Sequence, residues 1–346
     1  MYIPSKAQMS IKDPNQDYWP KLYIQNVLVL DNAKQLLPKW LRFVEWVVET
    51  KDLDMNISRE MLQDNRTISK IKNSLTKKLI KKLTSLWKQE PSKYNVFLQD
   101  YGKILKEGIH YDRARKDEIA WLLKFYSVQE DKKIFLDEYI ENMEENQEEI
   151  YYLIWDSIEQ MKNSPYLNKF QSKNKDVLLL DEPIDNWVVQ GLMEYKWKAL
   201  VSIQSEQAND DESEESNDDE ENDDFLEFIK EKVWEDKLAN VKMTWSIQDT
   251  PALLVRKQWA PSPQMQQLMQ NMNQFAPNVK KVFKLNKNSN IVKNMKKEFT
   301  SNSDSPKLEK MIDYLYKQAI LNEWGQIDDM SGFLKLVNEF AEKYVD

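Results

Sequence analysis

The sequence predicts an α/β domain, a sheet with long helices, followed by an α+β domain that ends in a pair of helices. Short apolar runs alternate with amphipathic stretches in the first part of the chain, which is typical of a mostly parallel sheet covered by helices. An acidic tract follows, and two amphipathic helices close the chain. We therefore expect domains at 1–203 and 225–346, joined by a disordered linker at 204–224.

The first domain begins with a predicted strand at 21–30, where β-branched and aromatic residues are frequent. Four helices follow in the prediction, because apolar residues recur every three to four positions. They cover 36–50, 60–89, 92–107 and 114–126.

Three short apolar runs then predict buried strands, which need no polar alternation because both faces are covered. These runs are 148–155, 176–182 and 199–203. The second domain is predicted to contain a helix, two strands and a Met-rich helix before the closing pair. Those elements are 225–234, 241–247, 251–257, 263–275, 306–321 and 331–345, with the turn of the closing pair at Gly325.

The net charge of −9 is unevenly distributed. Residues 206–224 hold twelve Asp and Glu and no Lys or Arg, so the remainder of the chain is net positive. A segment with so little apolar surface cannot offset the entropy that ordering costs. The tract is therefore expected to be disordered, as a solubilising linker or as a pseudo-ligand for basic partners.

Composition excludes several classes of function. The chain has no Cys and a single His, His110, so thiol chemistry, imidazole metal sites and a Ser-His-Asp triad are not expected. No apolar run is long enough to span a membrane, and the first residues lack a secretory signal. We expect a cytoplasmic protein with no metal. The basic helix at 66–88 has no aromatic platform beside it, so nucleic-acid binding is not favoured.

Several segments together resemble the 90-kDa heat-shock chaperone family, notably its bacterial high-temperature protein G branch. The matching segments are YIPSKA (2–7), LPKWLRFVEWVVETKDLDMNISREMLQDN (37–65), LKEGIHYD (105–112), SPYLNKF (164–170), VLLLDEPIDNWVVQ (177–190), ALVSI (199–203) and DTPALLV (249–255). The resemblance implies the middle and C-terminal domains of such a chaperone, without the N-terminal domain that binds ATP and Mg. The chain alone is then expected to hold neither cofactor and to be inactive as an ATPase.

The resemblance implies a catalytic role for Arg59 and Gln63, which would act on ATP held by the missing domain. A guanidinium suits a γ-phosphate because it is always charged and forks onto two oxygens. From spacing alone, the segment is an N-capping loop with a solvated arginine.

The resemblance also implies client binding through Trp187, Met265, Leu268 and Met269. Met272 extends the same stripe. Flexible, polarisable Met side chains adapt to many partner shapes. The alternative is that these side chains belong to the core.

Dimerisation is the third implied role, since two amphipathic helices can pair with a second copy as a four-helix bundle. The candidate residues are Leu308, Met311, Ile312, Leu315, Ala319, Phe333, Leu336, Val337 and Phe340. Packing onto the chain's own C-terminal domain is the alternative. The chain ends in EKYVD, so docking of tetratricopeptide co-chaperones is not expected.

Two functions from different classes remain open. The first is a chaperone fragment that binds unfolded clients as a homodimer and works with an N-terminal ATPase domain, if that domain is encoded separately. The second is an ATP-independent dimeric holdase or scaffold.

Glycine and tryptophan have unusual frequencies, with 5 Gly and 12 Trp in 346 residues. The resemblance places glycine where this chain has Trp46, Trp155, Trp197 and Trp234, and Trp197 falls in a predicted hairpin turn. These facts raise the hypothesis that the source cell reads UGA codons as glycine. Translation of the gene with a code that reads UGA as Trp would then place Trp at these four positions.

Overall fold

A computed structural model describes residues 2–4, 6–7, 21–24, 26–30, 33–45, 47–50, 66–209, 223–233, 237–272, 275, 277 and 279–342. The chain divides into two compact units. Unit 1 comprises 1–125, 133–141 and 184–199, and unit 2 comprises 126–132, 142–183 and 200–346.

Helices form most of the regular structure in the described ranges. They are α1 (Arg66–Gln89), α2 (Pro91–Tyr111), α3 (Lys116–Ala120), α4 (Leu136–Asn142), α5 (Ile158–Lys162), α6 (Asn168–Ser172), α7 (Asp185–Leu192), α8 (Glu206–Asn209), α9 (Asp223–Lys232), α10 (Pro263–Asn271), α11 (Asn290–Ser301), α12 (Pro306–Asn322) and α13 (Met330–Glu342).

The strands form three sheets with the orders β2-β1-β3, β5-β4-β7-β6-β9-β8 and β10-β12-β11. Their bounds are β1 (Lys21–Ile24), β2 (Val27–Leu30), β3 (Val47–Thr50), β4 (Lys124–Ser127), β5 (Lys132–Phe135), β6 (Glu149–Ile154), β7 (Leu178–Leu180), β8 (Glu194–Tyr195), β9 (Lys198–Ser202), β10 (Leu238–Thr244), β11 (Ala252–Val255) and β12 (Lys281–Asn286). β6 and β7 are parallel, and β10 and β12 are also parallel. The predicted class, an α/β domain followed by an α+β region with a terminal helix pair, is confirmed.

Unit 1 is organised around α2. Tyr94, Phe97 and Tyr101 form one buried aromatic row along this helix, and Phe43 packs against it with its ring centroid 5.3 Å from that of Phe97. Aromatic pairs at such separations add to the stabilisation from burial alone. The Tyr94 hydroxyl donates a 2.6 Å hydrogen bond to the Leu122 carbonyl, so its polar atom is satisfied inside the core.

Two ion pairs are buried beside this aromatic row. The Lys106 Nζ lies 2.6 Å from Oδ1 of Asp185, and both side chains are nearly inaccessible to solvent. Arg42, also buried, forks onto the carboxylate of Glu107 at 2.6 and 2.8 Å. Because Asp185 is the first residue of α7, the helix dipole also favours its negative charge.

Unit 2 contains a core formed by one side of a sheet and the helices that cover it. Its fully buried members come from all three strands β10, β11 and β12, and from α9, α11 and α12. Phe283 and Leu285 of the central strand are completely buried, as are Val292 and Met295 of α11.

Of the helices predicted in unit 1, the one at 36–50 is wrong and the one at 114–126 is shorter than predicted. The segment 36–50 contains only short 3₁₀ turns and then strand β3. Pro38 precedes one of those turns, and the β-branched residues of β3 pair in parallel with β1 instead of continuing a helix. Within 114–126, the helix α3 ends at Ala120 and strand β4 begins at Lys124. The side chains of β4 alternate between half-buried and buried, which is the period of a strand and not of a helix.

Other predicted elements agree with the structure more closely. The strands expected at 148–155, 176–182 and 199–203 correspond to β6, β7 and β9, and the run at 21–30 is a hairpin of two strands. Helix 92–107 is part of α2, and the described part of helix 60–89 is α1. Within the expected linker, 206–209 form α8, while 210–222 lie outside the described residues.

We predict that Lys106→Met will destabilise the protein strongly. Removing the cation takes away a charge partner of the buried Asp185 carboxylate, which costs about 3–5 kcal/mol of unfolding free energy. Urea unfolding followed by circular dichroism measures the loss. The matched control is Lys103→Met, which changes an exposed lysine of the same helix and should move the free energy by about 0.5 kcal/mol or less. Equal losses in both variants would contradict this assignment.

Candidate functional site

The residues expected to act on ATP cannot be placed. Arg59 and Gln63 lie outside the described residues, which resume at Arg66, the first residue of α1. Their role therefore stays a prediction.

The Met-rich helix predicted at 263–275 corresponds to α10, which is shorter than expected. Ser262 caps its N-terminus by accepting a 3.0 Å hydrogen bond from the Met265 amide, and Pro263 occupies the first turn. Serine at this position satisfies a backbone N–H that the helix leaves unpaired, and proline there loses nothing because its missing N–H has no helical partner. The start of the helix is therefore well determined by local sequence.

α10 separates its apolar side chains between a buried and an exposed part. Met265 is buried, while Leu268 and Met269 are half-buried. Met272, just beyond the helix, is 58% exposed, and Phe275 is 86% exposed. The apolar stripe therefore begins at buried Met265 in unit 2 and continues to exposed side chains. Exposed apolar side chains contribute nothing to packing of the core, so they mark a candidate contact surface.

The inner end of α10 is held by polar contacts within unit 2. The buried Gln264 side chain donates a hydrogen bond to Oδ1 of Asp156. Strand β11, which precedes α10 in the chain, is anchored by Tyr166, whose hydroxyl donates a 2.6 Å hydrogen bond to the Leu254 carbonyl. Burial raises the pKa of Tyr166 well above its ordinary value, so this hydroxyl remains a donor.

A buried cation lies at the end of β11. Burial lowers the pKa of the Arg256 guanidinium, and the negative charge of Glu323 opposes this effect. The guanidinium donates a 2.5 Å hydrogen bond to Oε1 of Gln204, and the Arg256 amide donates to the Gln204 carbonyl at 3.1 Å. Because arginine does not lose its proton in proteins, Gln204 and the nearby negative charge of Glu323 stabilise a permanent buried charge at the end of β11.

Trp187 belongs to unit 1, whereas α10 belongs to unit 2. It lies in α7 and is half-buried, between Asn186 and Val188, which are both buried. Its backbone amide donates to the Ile184 carbonyl at 3.0 Å. The side chain is thus partly available to a partner on the surface of its own unit.

The apolar stripe of α12 is used by the chain itself. Its five candidate residues are fully or almost fully buried in the core of unit 2, where they pack against the three-stranded sheet and neighbouring helices. They are Leu308, Met311, Ile312, Leu315 and Ala319. The α12 stripe therefore packs onto the chain's own C-terminal region, which was the alternative to dimerisation.

α13 has an inner and an outer apolar face. On the inner side, Phe333 and Leu336 are buried, and the rings of Phe333 and Phe340 pack on Tyr314 of α12 with centroid separations of 6.0 and 5.4 Å. Val337 is half-buried. This inner face explains why α13 packs along α12.

The outer face of α13 was not singled out by the sequence. Leu334 is 54% exposed and Met330 is 43% exposed, and Val337 and Ala341 continue the same row at helical spacing. The spacing of four, three and four residues places these side chains on one side of the helix. Periodicity was visible in the sequence, but two apolar rows share this helix and periodicity alone does not tell which one faces the core.

Neither a metal site nor a membrane span is found in the described ranges. They contain no group of three or more His, Cys, Asp and Glu side chains placed to hold a metal ion. No described helix combines the length and apolar character needed to cross a membrane.

The whole chain, residues 1–346, matches the family model described as Hsp90 protein. The chain belongs to the Hsp90 family. It is 34% identical to "Chaperone protein HtpG" of Geobacter sulfurreducens and 37% identical to the protein of that name from Shewanella loihica, with 98% of this chain and 54% of each relative aligned. The protein of that name from Shewanella amazonensis is 37% identical over all of this chain and 55% of its own length. This Hsp90-family chain thus spans about half the length of these relatives.

We predict that Ser262→Ala will loosen α10 without unfolding unit 2. Losing the cap costs about 1 kcal/mol, and the backbone amides of 264–271 should exchange with deuterium several-fold faster. The control is Ser289→Ala, since Ser289 precedes α11 without a capping side-chain hydrogen bond. Equal acceleration at both helix starts would argue against the cap.

Proposed function

We propose that this chain is the client-binding and dimerising part of an Hsp90-family chaperone. The observation that carries the proposal is the outward end of the α10 stripe, where Met272 and Phe275 are exposed beyond a helix anchored in unit 2. Exposed apolar side chains on a fixed base suit an unfolded chain, which offers apolar segments of varied shape. Family membership supports the same function.

Trp187 is proposed as a second contact for clients. It is half-buried on α7, so its base is fixed while part of the indole remains accessible. Trp supplies a large apolar area at a low cost in side-chain entropy, which is why it is common at binding surfaces. Met265, Leu268 and Met269 would support the exposed end of the stripe from below.

We also propose that ATP hydrolysis involves Arg59 and Gln63 of this chain. The relatives are nearly twice as long as the matched segment, and a nucleotide-binding segment outside these 346 residues would hold ATP and Mg. Arg59 would then stabilise charge on the γ-phosphate, as an arginine supplied to a phosphoryl-transfer site does. An ATP-independent holdase would use the same client surface without this step. We expect either protein in the cytoplasm.

The proposed dimer uses the outer face of α13. The α12 stripe is occupied by the chain's own core, whereas Met330 and Leu334 are exposed. Two copies of α13 related by a two-fold axis would bury the same patch on each protomer. Phe333 and Phe340 would set the angle of α13 through their packing on Tyr314 of α12, Leu336 would remain buried, and Val337 would join Leu334 in the dimer contact.

We predict that Met272→Asp combined with Phe275→Asp will reduce the ability of the protein to suppress aggregation of an unfolded client by about fivefold or more. Each carboxylate would have to lose its water on binding, which is costly without a partner charge. Light scattering of a thermally unfolded model client measures the effect. The control, Val96→Asp, changes an exposed apolar residue of α2 and should leave suppression unchanged. Full suppression by the double variant would refute this surface.

We predict that Leu334→Asp will weaken the dimer by about tenfold or more, because two carboxylates would face each other across the two-fold axis. Sedimentation equilibrium measures the dissociation constant, and circular dichroism checks that the fold persists. Lys335→Asp is the matched control, since Lys335 is exposed on the same helix but lies off the row. A dimer that is unaffected by the change at Leu334 would place the interface elsewhere.

A further inference from the structure

Positive backbone φ angles occur at unexpected residue types. Seven described residues other than glycine have a positive φ, and three of them are Asn or Asp, which tolerate this region. Two others are Met193 and Lys196. The last two are tryptophans, Trp197 at 66° and Trp324 at 60°. All five glycines of the sequence lie in the described ranges, and none has a positive φ.

Trp197 occupies a turn that favours glycine. β8 and β9 pair in register, with Tyr195 opposite Lys198, so the hairpin loop has only two residues, Lys196 and Trp197. Both have positive φ, at 48° and 66°, which is the conformation of a type I′ turn. Glycine is strongly preferred at the second position of that turn because a Cβ clashes there. The Trp197 side chain is 91% exposed, so burial offsets little of this strain.

Trp324 occupies the other standard glycine position, just after the C-terminus of a helix. The Gly325 amide donates to the Ile320 carbonyl at 2.8 Å, and the Trp324 amide donates to the Leu321 carbonyl at 3.0 Å. These two hydrogen bonds define a Schellman motif at the end of α12. The residue at the Trp324 position of this motif is left-handed and is usually glycine. A tryptophan is again found where the backbone selects against a Cβ.

Other tryptophans occupy sites that require a large ring. Trp40 is completely buried, and its indole N–H donates to Oδ2 of Asp112 at 3.3 Å. A Cβ on Gly108 would lie 2.8 Å from the Trp40 ring, so this part of the core is shaped around the indole. Trp87 and Trp121 pack edge to face with centroids 5.9 Å apart. The chain thus contains tryptophans around which the core is shaped and tryptophans at backbone positions that favour glycine.

We propose that residues 197 and 324 are glycine in the protein that the source cell makes, because UGA codons at these positions are decoded as glycine there. Translation of those UGA codons as Trp would place a tryptophan at both of these glycine positions. Composition points the same way, since 5 Gly in 346 residues is far below the usual share of about 7%, while 12 Trp are present.

The proposal changes how one exposed surface is interpreted. Trp197 lines an open cavity together with Trp121 and Tyr195, and its exposed ring has the appearance of a binding feature. With glycine at position 197 the hairpin turn has no apolar tip. The indole at that position is then no candidate for client contact, unlike Trp187, whose φ is not positive.

Two measurements on the source cell decide the proposal. The codons at positions 197 and 324 are read from the genomic DNA, and peptides spanning both positions in the natural protein are weighed by mass spectrometry. UGA codons with the residue mass of glycine support the proposal. UGG at either position, or the residue mass of tryptophan there, overturns it for that position.

A stability comparison tests the backbone argument on the chain as written. At positions 197 and 324, each Trp is replaced by Gly and separately by Ala, which remove the same ring and differ only in their tolerance of positive φ. We expect the Gly variant to have the higher urea midpoint at both positions. At Trp245, which is exposed and has no positive φ, the order should reverse because Gly loses more backbone freedom. A lower midpoint for Gly than for Ala at 197 or 324 overturns the argument there.

Discussion

The packing of α12 against the sheet β10-β12-β11 is the constraint on which most of unit 2 depends. Its apolar stripe is buried together with residues of all three strands and of α9 and α11, so removing it would expose a whole core. Burial of that area is the main favourable term in folding. Because the apolar stripe of α12 is buried in this way, its side chains are not available to a partner, whereas Met330 and Leu334 of α13 are exposed.

α10 likewise has one buried end and one exposed end. The cap by Ser262 and the buried Gln264 hold the start of the helix, while Met272 and Phe275 extend into solvent. A surface that accepts many partners needs mobile apolar side chains, but it also needs a fixed position from which they extend. Strand β11, which precedes α10 in the chain, is held by the hydrogen bonds of the Tyr166 hydroxyl and the Arg256 guanidinium.

Unit 1 depends on α2 in a comparable way. An aromatic row packs along one side of the helix, and Lys106 and Glu107 take part in buried ion pairs beside it. Buried charges contribute little net stability but penalise any arrangement that separates them. The aromatic rings supply the stabilisation, and the ion pairs make alternative packings costly. α7, which carries Trp187, is therefore fixed by Asp185 at its first turn.

The sequence by itself determined the fold class, three of the six strands of the long sheet and the hairpin turn at Trp197, because these follow from local periodicity and local backbone preference. It did not determine the segment 36–50, where pairing of β3 with β1 overrides a helical pattern, or strand β12, which lies between partners from distant parts of the chain. It also named one apolar stripe on each terminal helix, without showing whether that stripe faces the core or a partner. Only the tertiary structure decided that the α12 stripe is core and that Leu334 faces outward, because burial depends on what packs against a helix and not on the helix alone.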